Sequence, residues 1–311
     1  MDLSIVIVNW NTQDLLRDCL SSVELGLGKL QAEVFVVDNA SDDGSPLMVQ
    51  TEFPWVKLIE NRENLGFAGG NNVALRRAYG RYVMLLNTDT LVHGSVLETA
   101  ISWMDAHPSA GIMGPRVLNS DGTIQPSCSA FPSLSNLAMQ TAGLTRFRQF
   151  DRYRMTGWNR SSERHVDVIS GAAMFVRHSA MQQVGLLDEA FFFYGEETDW
   201  CRRFRGHGWN VVFSPIPEIT HFGNGSAGKL NHKRDVLMTE GTTRLHLKHG
   251  GLFAGMICYL LLAAHNVSRA VFWACLSTLD RPGAKDRARH FSRVVVDLPR
   301  AWPARERAIG S

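Results

Sequence analysis

The sequence has no CxxC pair, and its five cysteines, at positions 19, 128, 201, 258 and 275, show no regular spacing. This absence argues against a zinc ribbon or a thioredoxin-like redox motif, and the odd count argues against a complete disulfide framework. We therefore expect reduced thiols and a cytoplasmic protein. A large excess of one charge is also absent, because the net charge is only +2 over 311 residues. Composition thus gives no indication of a nucleic acid as partner.

A dinucleotide-binding fingerprint is missing as well. The first apolar run, residues 3–8, is followed by Asn9 and not by G-x-G-x-x-G, which disfavours a Rossmann domain of the dinucleotide-binding kind. The run is rich in Ile and Val, which is typical of a central parallel strand, and it is too short for a signal peptide.

Strand and helix patterns alternate four times over the first hundred residues. Predicted strands cover residues 3–8, 33–37, 56–59 and 82–86, and predicted helices cover 13–25, 44–52, 69–79 and 96–104. Later strands are predicted at 166–177 and 211–214. The alternation predicts an α/β fold with a mostly parallel central sheet. The length allows one large domain with a smaller appendage.

Polar residues follow these strands at their carboxyl ends, where open α/β sheets bind ligands. Asp38 can accept a hydrogen bond from a nucleobase or a ribose hydroxyl, although a turn or helix cap explains it equally simply. Asp89, in Asn87-Thr88-Asp89, offers the oxygen ligand that Mg²⁺ or Mn²⁺ prefers beside a diphosphate. An ordinary turn is the alternative for this segment.

Three carboxylates, Glu196, Glu197 and Asp199, crowd into four positions at a predicted helix start. Like charges this close raise the pKa of at least one carboxyl group, which suits a general base. Acidic residues also stabilise a helix N-terminus, here with Arg202 and Arg203 as partners. Spacing alone leaves the two interpretations equally open.

Two glycine-rich segments are further candidates. His221 precedes residues 223–226 and is a possible metal ligand beside a phosphate site, although a lone histidine is more often structural. Residues 64–72 open a helix with several glycines, which lets the backbone approach a ligand closely or simply forms a loop and cap.

Taken in order, these segments resemble family 2 glycosyltransferases with the GT-A fold, and most closely their rhamnosyltransferase-like branch. The matching segments are residues 6–11, 36–41, 64–72, 85–90, 170–174, 185–199 and 221–226. Each is weak alone, whereas the ordered set is specific. The resemblance implies a Rossmann-like nucleotide-binding domain of GT-A type over residues 1–230, followed by a helical region over 231–311.

The resemblance also implies site residues for an inverting, metal-dependent transfer of a sugar from a nucleotide donor. Asp89 matches the metal-binding aspartate of the family's D-x-D element, and His221 matches its histidine near the metal and diphosphate. The cofactor would be Mg²⁺ or Mn²⁺. The donor would be bound by Val8, Asn9, Asp38, Asn64, Gly66, Asn72, Asn87 and Thr88.

Two positions depart from the family's pattern. Asn87 replaces the first aspartate of D-x-D, so metal binding depends more on Asp89. Glu197 stands where the family usually has an aspartate as base, and Glu196 or Asp199 are possible substitutes.

The branch favours dTDP-rhamnose as donor and a lipid-linked saccharide or polysaccharide intermediate as acceptor. Three alternatives stay open. One is a UDP- or GDP-linked donor. Another is a soluble or protein acceptor, with the C-terminal helices forming a homodimer. The third is a non-catalytic nucleotide-sugar-binding protein, which only the change at Glu197 supports.

The C-terminal region changes character. Residues 252–279 are mostly apolar but are interrupted by polar residues between His265 and Arg269, so that neither half reaches the length that spans a bilayer. An arginine near the middle of a span would be costly. With the arginine-rich residues 281–307, this pattern predicts interfacial helices at the inner face of the cell membrane. A hairpin packed on the catalytic domain or on a second subunit is the alternative.

Overall fold

The computed structural model describes residues 1–147, 153–155, 157–223, 231–279 and 281–303. The chain divides into two compact units. Unit 1 comprises Met1–Ala130, Trp158–Glu189 and Glu196–Gly225, and unit 2 comprises Phe131–Gly157, Ala190–Gly195 and Ser226–Ser311. The division into functional domains at residues 1–230 and 231–311 stays a prediction.

Unit 1 contains the sheets and unit 2 is helical. The strands are β1 Leu3–Asn9, β2 Ala32–Asp38, β3 Lys57–Glu60, β4 Tyr82–Asn87, β5 Thr90–Val92, β6 Ala110–Leu118, β7 Ile124–Gln125, β8 Cys128–Ser129, β9 Arg164–His165, β10 Val168–Ile169, β11 Ala173–Arg177 and β12 Asn210–His221. The helices are α1 Gln13–Gly26, α2 Ser45–Glu52, α3 Gly66–Leu75, α4 Val96–Ala106, α5 Leu134–Thr141, α6 His178–Val184, α7 Glu196–Gly206, α8 His232–Thr278 and α9 Ala284–Asp297.

The main sheet has the order β3-β2-β1-β4-β11-β6-β12-β5. Strands β3, β2, β1 and β4 are parallel to one another, and β6 and β12 are parallel to each other. Strand β11 is antiparallel to β4 and β6, and β5 is antiparallel to β12. This confirms the predicted α/β fold with a mostly parallel sheet.

The first strands were predictable because they are buried on both faces, so they read as continuous apolar runs. Ile5, Val36 and Met84, from β1, β2 and β4, belong to one buried cluster with Leu16 and Leu20 of α1. Burial of such side chains is the main favourable term in folding.

Strand β6 was not predicted, since its sequence contains Gly111, Gly114 and Pro115, which normally interrupt strands. In the structure the glycines make room for neighbours. A Cβ atom on Gly111 would lie 2.7 Å from Phe204, and one on Gly114 would lie 2.5 Å from Ile169. Close packing therefore overrides the local pattern.

The prediction of one strand over residues 166–177 was wrong. The segment forms β10 and β11, which join different sheets and are separated by Ser170–Ala172. At this break the amide of Asn87 donates to the carbonyl of Ala172 (3.0 Å), and a Cβ atom on Gly171 would lie 2.8 Å from Phe67. The chain is not extended at this break, and it contacts α3 and the end of β4 instead.

Strand β12 is longer than the predicted 211–214. It continues past an irregularity between Phe213 and Glu218 and ends at His221. The extension decides where His221 lies, because its backbone pairs with Thr90 of β5.

In unit 2, helix α8 bends sharply at Gly251, whose φ of 77° is outside the helical range. Helix α9 packs on both halves of α8. His290 of α9 lies 2.8 Å from Asp235 in the first half, and the guanidinium of Arg287 lies 4.4 Å from the ring centre of Trp273 in the second half.

Helix α8 is long and apolar enough, by length and composition alone, to cross a membrane. Its most apolar 18-residue window has a mean hydropathy of 1.5 and is 17% buried. Residues 252–278 form one continuous helix of about 40 Å, so the predicted interruption between His265 and Arg269 was wrong. The polar residues do not break the helix because Asn266 and Ser268 donate to its own carbonyls at Leu262 and His265.

Candidate active site

The carboxyl ends of β1, β2 and β4 lie side by side. Asn9 pairs with Asp38 across β1 and β2, and Val8 pairs with Asn87 across β1 and β4. The polar residues that the sequence places at these strand ends therefore share one edge of the sheet.

Asn9 and Asp38 bond directly to each other. Nδ2 of Asn9 donates to Oδ1 of Asp38 (2.8 Å), and Oδ2 of Asp38 accepts from the amide of Ser41 (2.8 Å). Thr12 donates to the amide oxygen of Asn9 at 2.7 Å. Both residues are almost completely buried, at 0% and 2% exposure. Their side chains thus hold together the loops that follow β1 and β2. Direct contact of Asn9 and Asp38 with a nucleoside stays a prediction.

Those two loops have strained backbones that are bonded to each other. Asn11 and Ala40 are non-glycine residues with φ values of 54° and 60°. The amide of Asn11 donates to Oγ of Ser41 (3.0 Å), and the amide of Asp42 donates to Oδ1 of Asn11 (2.8 Å). Strain held by such a network is common at ligand-binding sites. Asn11 and Ser41 lie in segments that matched the family, but no role followed from their positions alone.

The glycine-rich segment brings α3 close to β1. Oδ1 of Asn64 accepts from the amide of Gly66 (2.9 Å) and from Asn39 (3.2 Å), which fixes the turn into the helix. A Cβ atom on Gly70 would lie 2.8 Å from Val8. Gly70 therefore allows α3 to pack closely on β1. Contact of this segment with a donor stays a prediction.

Asn72 uses its whole amide within the protein. It donates to the carbonyl of Leu187 and to Glu189 (both 2.8 Å), and it accepts from the amide of Leu187 (3.1 Å). Glu189 also forms an ion pair with Arg76, directly after α3, at 2.6 Å. These contacts fasten the segment before the acidic motif to α3, and Glu189 is a participant that sequence patterns did not single out.

Asp89 and His221, the two predicted metal ligands, lie together. The antiparallel pairing of β5 and β12 places Thr90 opposite His221, and the amide of Phe222 donates to the carbonyl of Asp89 (2.9 Å). As a result, Nε2 of His221 is 3.0 Å from Oδ1 of Asp89, and the two side chains are 15% and 13% exposed. Residues 224–226 of the same predicted motif lie outside the described residues.

Asp89 and His221 by themselves supply only part of the ligands that a metal ion needs. Within the described ranges, no three His, Cys, Asp or Glu side chains assemble into a group able to hold one. Asp89 and His221 offer one oxygen and one nitrogen, and Asn87 contributes an amide in place of a carboxylate. Mg²⁺ and Mn²⁺ usually complete such a shell with phosphate oxygens and water. The donor set therefore suits an ion shared with a diphosphate. Thr88, beside it, is buried and bonds Thr12 at 2.9 Å.

The three carboxylates of the acidic motif have different surroundings. Asp199 is fully buried and accepts a 2.8 Å hydrogen bond from Nε of Arg203. Glu196 is 4% exposed, whereas Glu197 is only half-buried. Glu197 is thus the most accessible of the three, at the first turn of α7.

Helix α7 is connected to the edge of β4. The thiol of Cys201, one turn after Glu197, is hydrogen-bonded to the backbone of Ile169 in β10, and Ala172, in the break after β10, accepts from the amide of Asn87. Burial, together with the nearby charges of Glu197 and Asp199, raises the pKa of the Cys201 thiol to about 12. This thiol stays protonated and acts as packing.

Known proteins resemble this chain in sequence and in fold. The sequence model of glycosyl transferase family 2 matches residues 4–182. The N-acetylglucosaminyl-diphospho-decaprenol L-rhamnosyltransferase of Mycobacterium tuberculosis H37Rv is 28% identical over 247 residues, covering 73% of this chain and 78% of that protein. The low-salt glycan biosynthesis hexosyltransferase Agl10 of Haloferax volcanii is 26% identical, over 71% of this chain and 67% of that protein. The mannosyltransferase PcManGT of Pyrobaculum calidifontis, solved with GDP-Man and Mn²⁺, has the same GT-A fold, with a TM-score of 0.56, 18% identity and coverage of 96% and 85%.

Proposed function

The chain belongs to glycosyl transferase family 2 and is a glycosyltransferase, and we propose that it is metal-dependent and inverting, moving L-rhamnose from dTDP-rhamnose to a hydroxyl of a lipid-linked saccharide. The observation that carries the proposal is the contact of Asp89 with His221, 3.0 Å apart at the carboxyl edge of the sheet. A carboxylate and an imidazole meeting there are what a metal-assisted departure of a nucleoside diphosphate requires from the protein.

In this proposal Asp89 and His221 hold Mg²⁺ or Mn²⁺, which neutralises the charge of the leaving diphosphate. The two side chains are mostly buried, so their orientation is fixed before the donor arrives. The donor would lie over the loops that follow β1 and β2, which Asn9 and Asp38 connect. It would be beside Val8, Asn64, Gly66, Asn87 and Thr88.

Glu197 is the proposed base. Its carboxylate takes the proton of the acceptor hydroxyl while that oxygen bonds to the anomeric carbon, and the bond from the anomeric carbon to the diphosphate breaks on the opposite face, which inverts the configuration. The accessibility of Glu197 supports this choice over Glu196 and Asp199, since the Arg203 partner already engages Asp199. Glutamate is one methylene longer than the family's usual aspartate, so the acceptor hydroxyl would lie correspondingly farther from the helix.

Donor and acceptor are proposed from the relatives. The mycobacterial relative is named for transfer of L-rhamnose to N-acetylglucosaminyl-diphospho-decaprenol, and the archaeal relative for hexosyl transfer in glycan biosynthesis. A lipid-linked acceptor agrees with an apolar surface on the C-terminal region, so we assign catalysis to residues 1–230 and membrane contact to 231–311.

That surface is an exposed apolar face on the second half of α8, consisting of Leu252, Phe253, Met256, Ile257, Leu260, Val267, Val271 and Phe272. The neighbouring helix α9 exposes Lys285, Arg287, Arg289 and Arg293. Apolar and basic side chains together suit the headgroup region of an anionic lipid layer. Arg269, exposed near the middle of the helix, makes crossing the bilayer costly, which favours an interfacial position at the inner face of the cell membrane.

The proposal is tested by incubating the protein with dTDP-, UDP- and GDP-linked sugars and a polyprenyl-diphospho-N-acetylglucosamine acceptor, with and without Mn²⁺. We expect rhamnosyl transfer from dTDP-rhamnose, with the opposite anomeric configuration in the product by NMR. Asp89→Ala and His221→Ala should abolish metal-dependent transfer, whereas Asp14→Ala, at an exposed carboxylate of α1, should not.

Three results would contradict it. Full activity after chelation of metals would remove the roles of Asp89 and His221. Transfer from a UDP- or GDP-linked sugar alone, or to a soluble acceptor alone, would replace the proposed substrates. Tight donor binding without turnover on any acceptor would favour a binding protein.

A further inference from the structure

Gln125 contacts the ring nitrogen of His221 that does not contact Asp89. Nδ1 of His221 is 2.6 Å from Oε1 of Gln125, while Nε2 is 3.0 Å from Oδ1 of Asp89. The imidazole ring therefore bridges an amide on one side and a carboxylate on the other. Neither the sequence patterns nor the resemblance assigned a role to Gln125.

The fold places Gln125 there through a tight hairpin. Strand β7 pairs back on β6, with Gln125 opposite Val117, after a turn in which Gly122 has a φ of 80°. Because β6 runs parallel to β12, with Leu118 opposite Thr220, the returning strand passes beside the end of β12. This explains how a glutamine distant in sequence reaches the ring of His221.

Hydrogen bonds fix which end of the Gln125 amide faces the histidine. Nδ2 of Asn119 donates to Oγ1 of Thr123 (2.9 Å), so Oδ1 of Asn119 is the acceptor that remains toward Gln125. Nε2 of Gln125 donates to that Oδ1 at 2.8 Å. Oε1 of Gln125 must then face Nδ1 of His221.

An oxygen cannot donate, so the proton of a neutral His221 must be on Nδ1 and the lone pair on Nε2. In a neutral ring this lone pair faces the carboxylate oxygen of Asp89 at 3.0 Å, and the repulsion is relieved when both atoms share a positive charge, either a second ring proton or a metal ion bound by both. The arrangement is thus one that presents two donor atoms to a positive charge.

From this geometry we infer that Gln125 is a positioning residue that holds His221 in the Nδ1-protonated tautomer and so makes Nε2 a metal ligand. The inference rests on the proposed metal role of Asp89 and His221. Partners of this kind fix the tautomer and orientation of metal-bound histidines, and their loss typically weakens metal binding about 10–100-fold.

The first test reads the tautomer in the metal-free protein. Two-bond ¹H–¹⁵N correlation spectra at about pH 8.5, where histidines are neutral, report which ring nitrogen of His221 carries the proton. His221→Asn identifies the signal. We expect an Nδ1-protonated ring in the natural protein and a mixture, or the Nε2-protonated form, in Gln125→Leu. A predominantly Nε2-protonated ring in the natural protein would overturn the inference.

The second test measures Mn²⁺ affinity by electron paramagnetic resonance, with Mn²⁺ alone and with Mn²⁺ and dTDP. Gln125→Leu should weaken binding about 10–100-fold. Gln125→Glu keeps an acceptor for Nδ1 and should bind at least as well as the natural protein. Gln31→Leu, the same substitution at an exposed position before β2, should change nothing and is the matched control.

The outcomes separate this inference from the function on which it rests. If the natural protein and Asp89→Ala bind Mn²⁺ equally, the proposed metal site itself is wrong. If Asp89→Ala loses Mn²⁺ but Gln125→Leu does not, only the role of Gln125 is wrong. Should Gln125→Leu fold poorly, Gln125→Glu decides, because Mn²⁺ binding weakened by that variant would also contradict the inference.

Discussion

Asp199, which is fully buried, and Arg203, which is half-buried, form an ion pair within one turn of α7, with Nε of Arg203 2.8 Å from Oδ2 of Asp199. The guanidinium also donates to the carbonyls of Val184 (3.1 Å) and Leu186 (2.7 Å). One carboxylate of the acidic motif is therefore used to attach the preceding segment to the helix. A proton acceptor must be reachable by the acceptor hydroxyl, and among the three carboxylates Glu197 is the most exposed.

Replacement of Glu197 by Gln should lower the rate of sugar transfer by roughly 10²–10⁴-fold, because the amide cannot take the proton from the acceptor. Donor binding and thermal stability should stay unchanged, since Glu197 is half-buried at a helix start. Transfer rates at saturating donor, together with calorimetric binding of dTDP, check this.

Asp199→Asn is the matched carboxylate-to-amide control. It should lower the melting temperature, because it leaves the half-buried guanidinium of Arg203 without its counter-charge. Normal transfer by Glu197→Gln, or a loss of transfer in Asp199→Asn without any loss of stability, would move the base from Glu197 to Asp199.

Asn72→Ala should reduce the free energy of unfolding by about 1–3 kcal/mol, since it leaves the buried carbonyl and amide of Leu187 without partners. Urea unfolding measures the change. Asn71→Ala is the control, because the amide of that buried neighbour donates only within its own helix, to the carbonyl of Phe67.

The same variant separates the two roles of Asn72. If the side chain contacts the donor, as the family resemblance implies, Asn72→Ala would raise the Kd for the donor in a protein that unfolds normally. A loss of stability with an unchanged donor Kd would instead assign it to positioning the segment at Leu187.

The sequence predicted the parallel half of the sheet well because β1, β2 and β4 are buried on both faces and show it as apolar runs. Strand β6 escaped prediction because Gly111 and Gly114 are needed for close packing, and this need arises from side chains distant in the sequence. The break after β10 was not predicted for the same reason, because Gly171 packs against Phe67, which is distant in the sequence. Local patterns cannot report contacts that only the tertiary fold creates.

For the candidate site, the sequence indicated residues but not the contacts between them. Asp89 and His221 were found through the resemblance, but their 3.0 Å contact depends on the register of β5 with β12. Gln125 offered no signal, because one glutamine after a turn resembles any surface residue. The donor-binding roles of Asn9 and Asp38 stay predictions, and the hydrogen bond between these two side chains, which depends on the pairing of β1 with β2, could not be read from the sequence.

The apolar face of α8 should bind anionic membranes. Phe253 and Leu260 are 80% and 62% exposed, so Phe253→Asp with Leu260→Asp should abolish sedimentation with phosphatidylglycerol vesicles without unfolding the protein. Leu47→Asp, at a 65% exposed leucine of α2, is the control.

Charge reversal tests the basic residues of α9. Arg287→Glu with Arg293→Glu should weaken binding to these vesicles by roughly thirtyfold or more, and phosphatidylcholine vesicles should bind weakly throughout. The alternative is that the apolar face of α8 is a subunit interface. In that case the natural protein would bind neither lipid and would be a dimer, and the double aspartate variant would be a monomer.

Glu33 should make the protein sensitive to acid. Burial by itself raises the pKa of this carboxyl group, but hydrogen bonds from Lys57, Ser4 and the amide of Tyr79 outweigh it, so the pKa lies below the ordinary value of 4.5. Since the folded protein binds the proton less readily than the unfolded chain, the stabilisation is complete above that value and is lost as the pH falls through the folded pKa.

Glu33→Gln should therefore destabilise the protein at about pH 7, and the difference from the natural protein should shrink toward about pH 3. Urea unfolding across this range, with Glu63→Gln at an exposed carboxylate as control, measures it. A difference that stays constant with pH would mean that the substitution removes only packing and hydrogen bonds, and that the charge of Glu33 contributes nothing to stability.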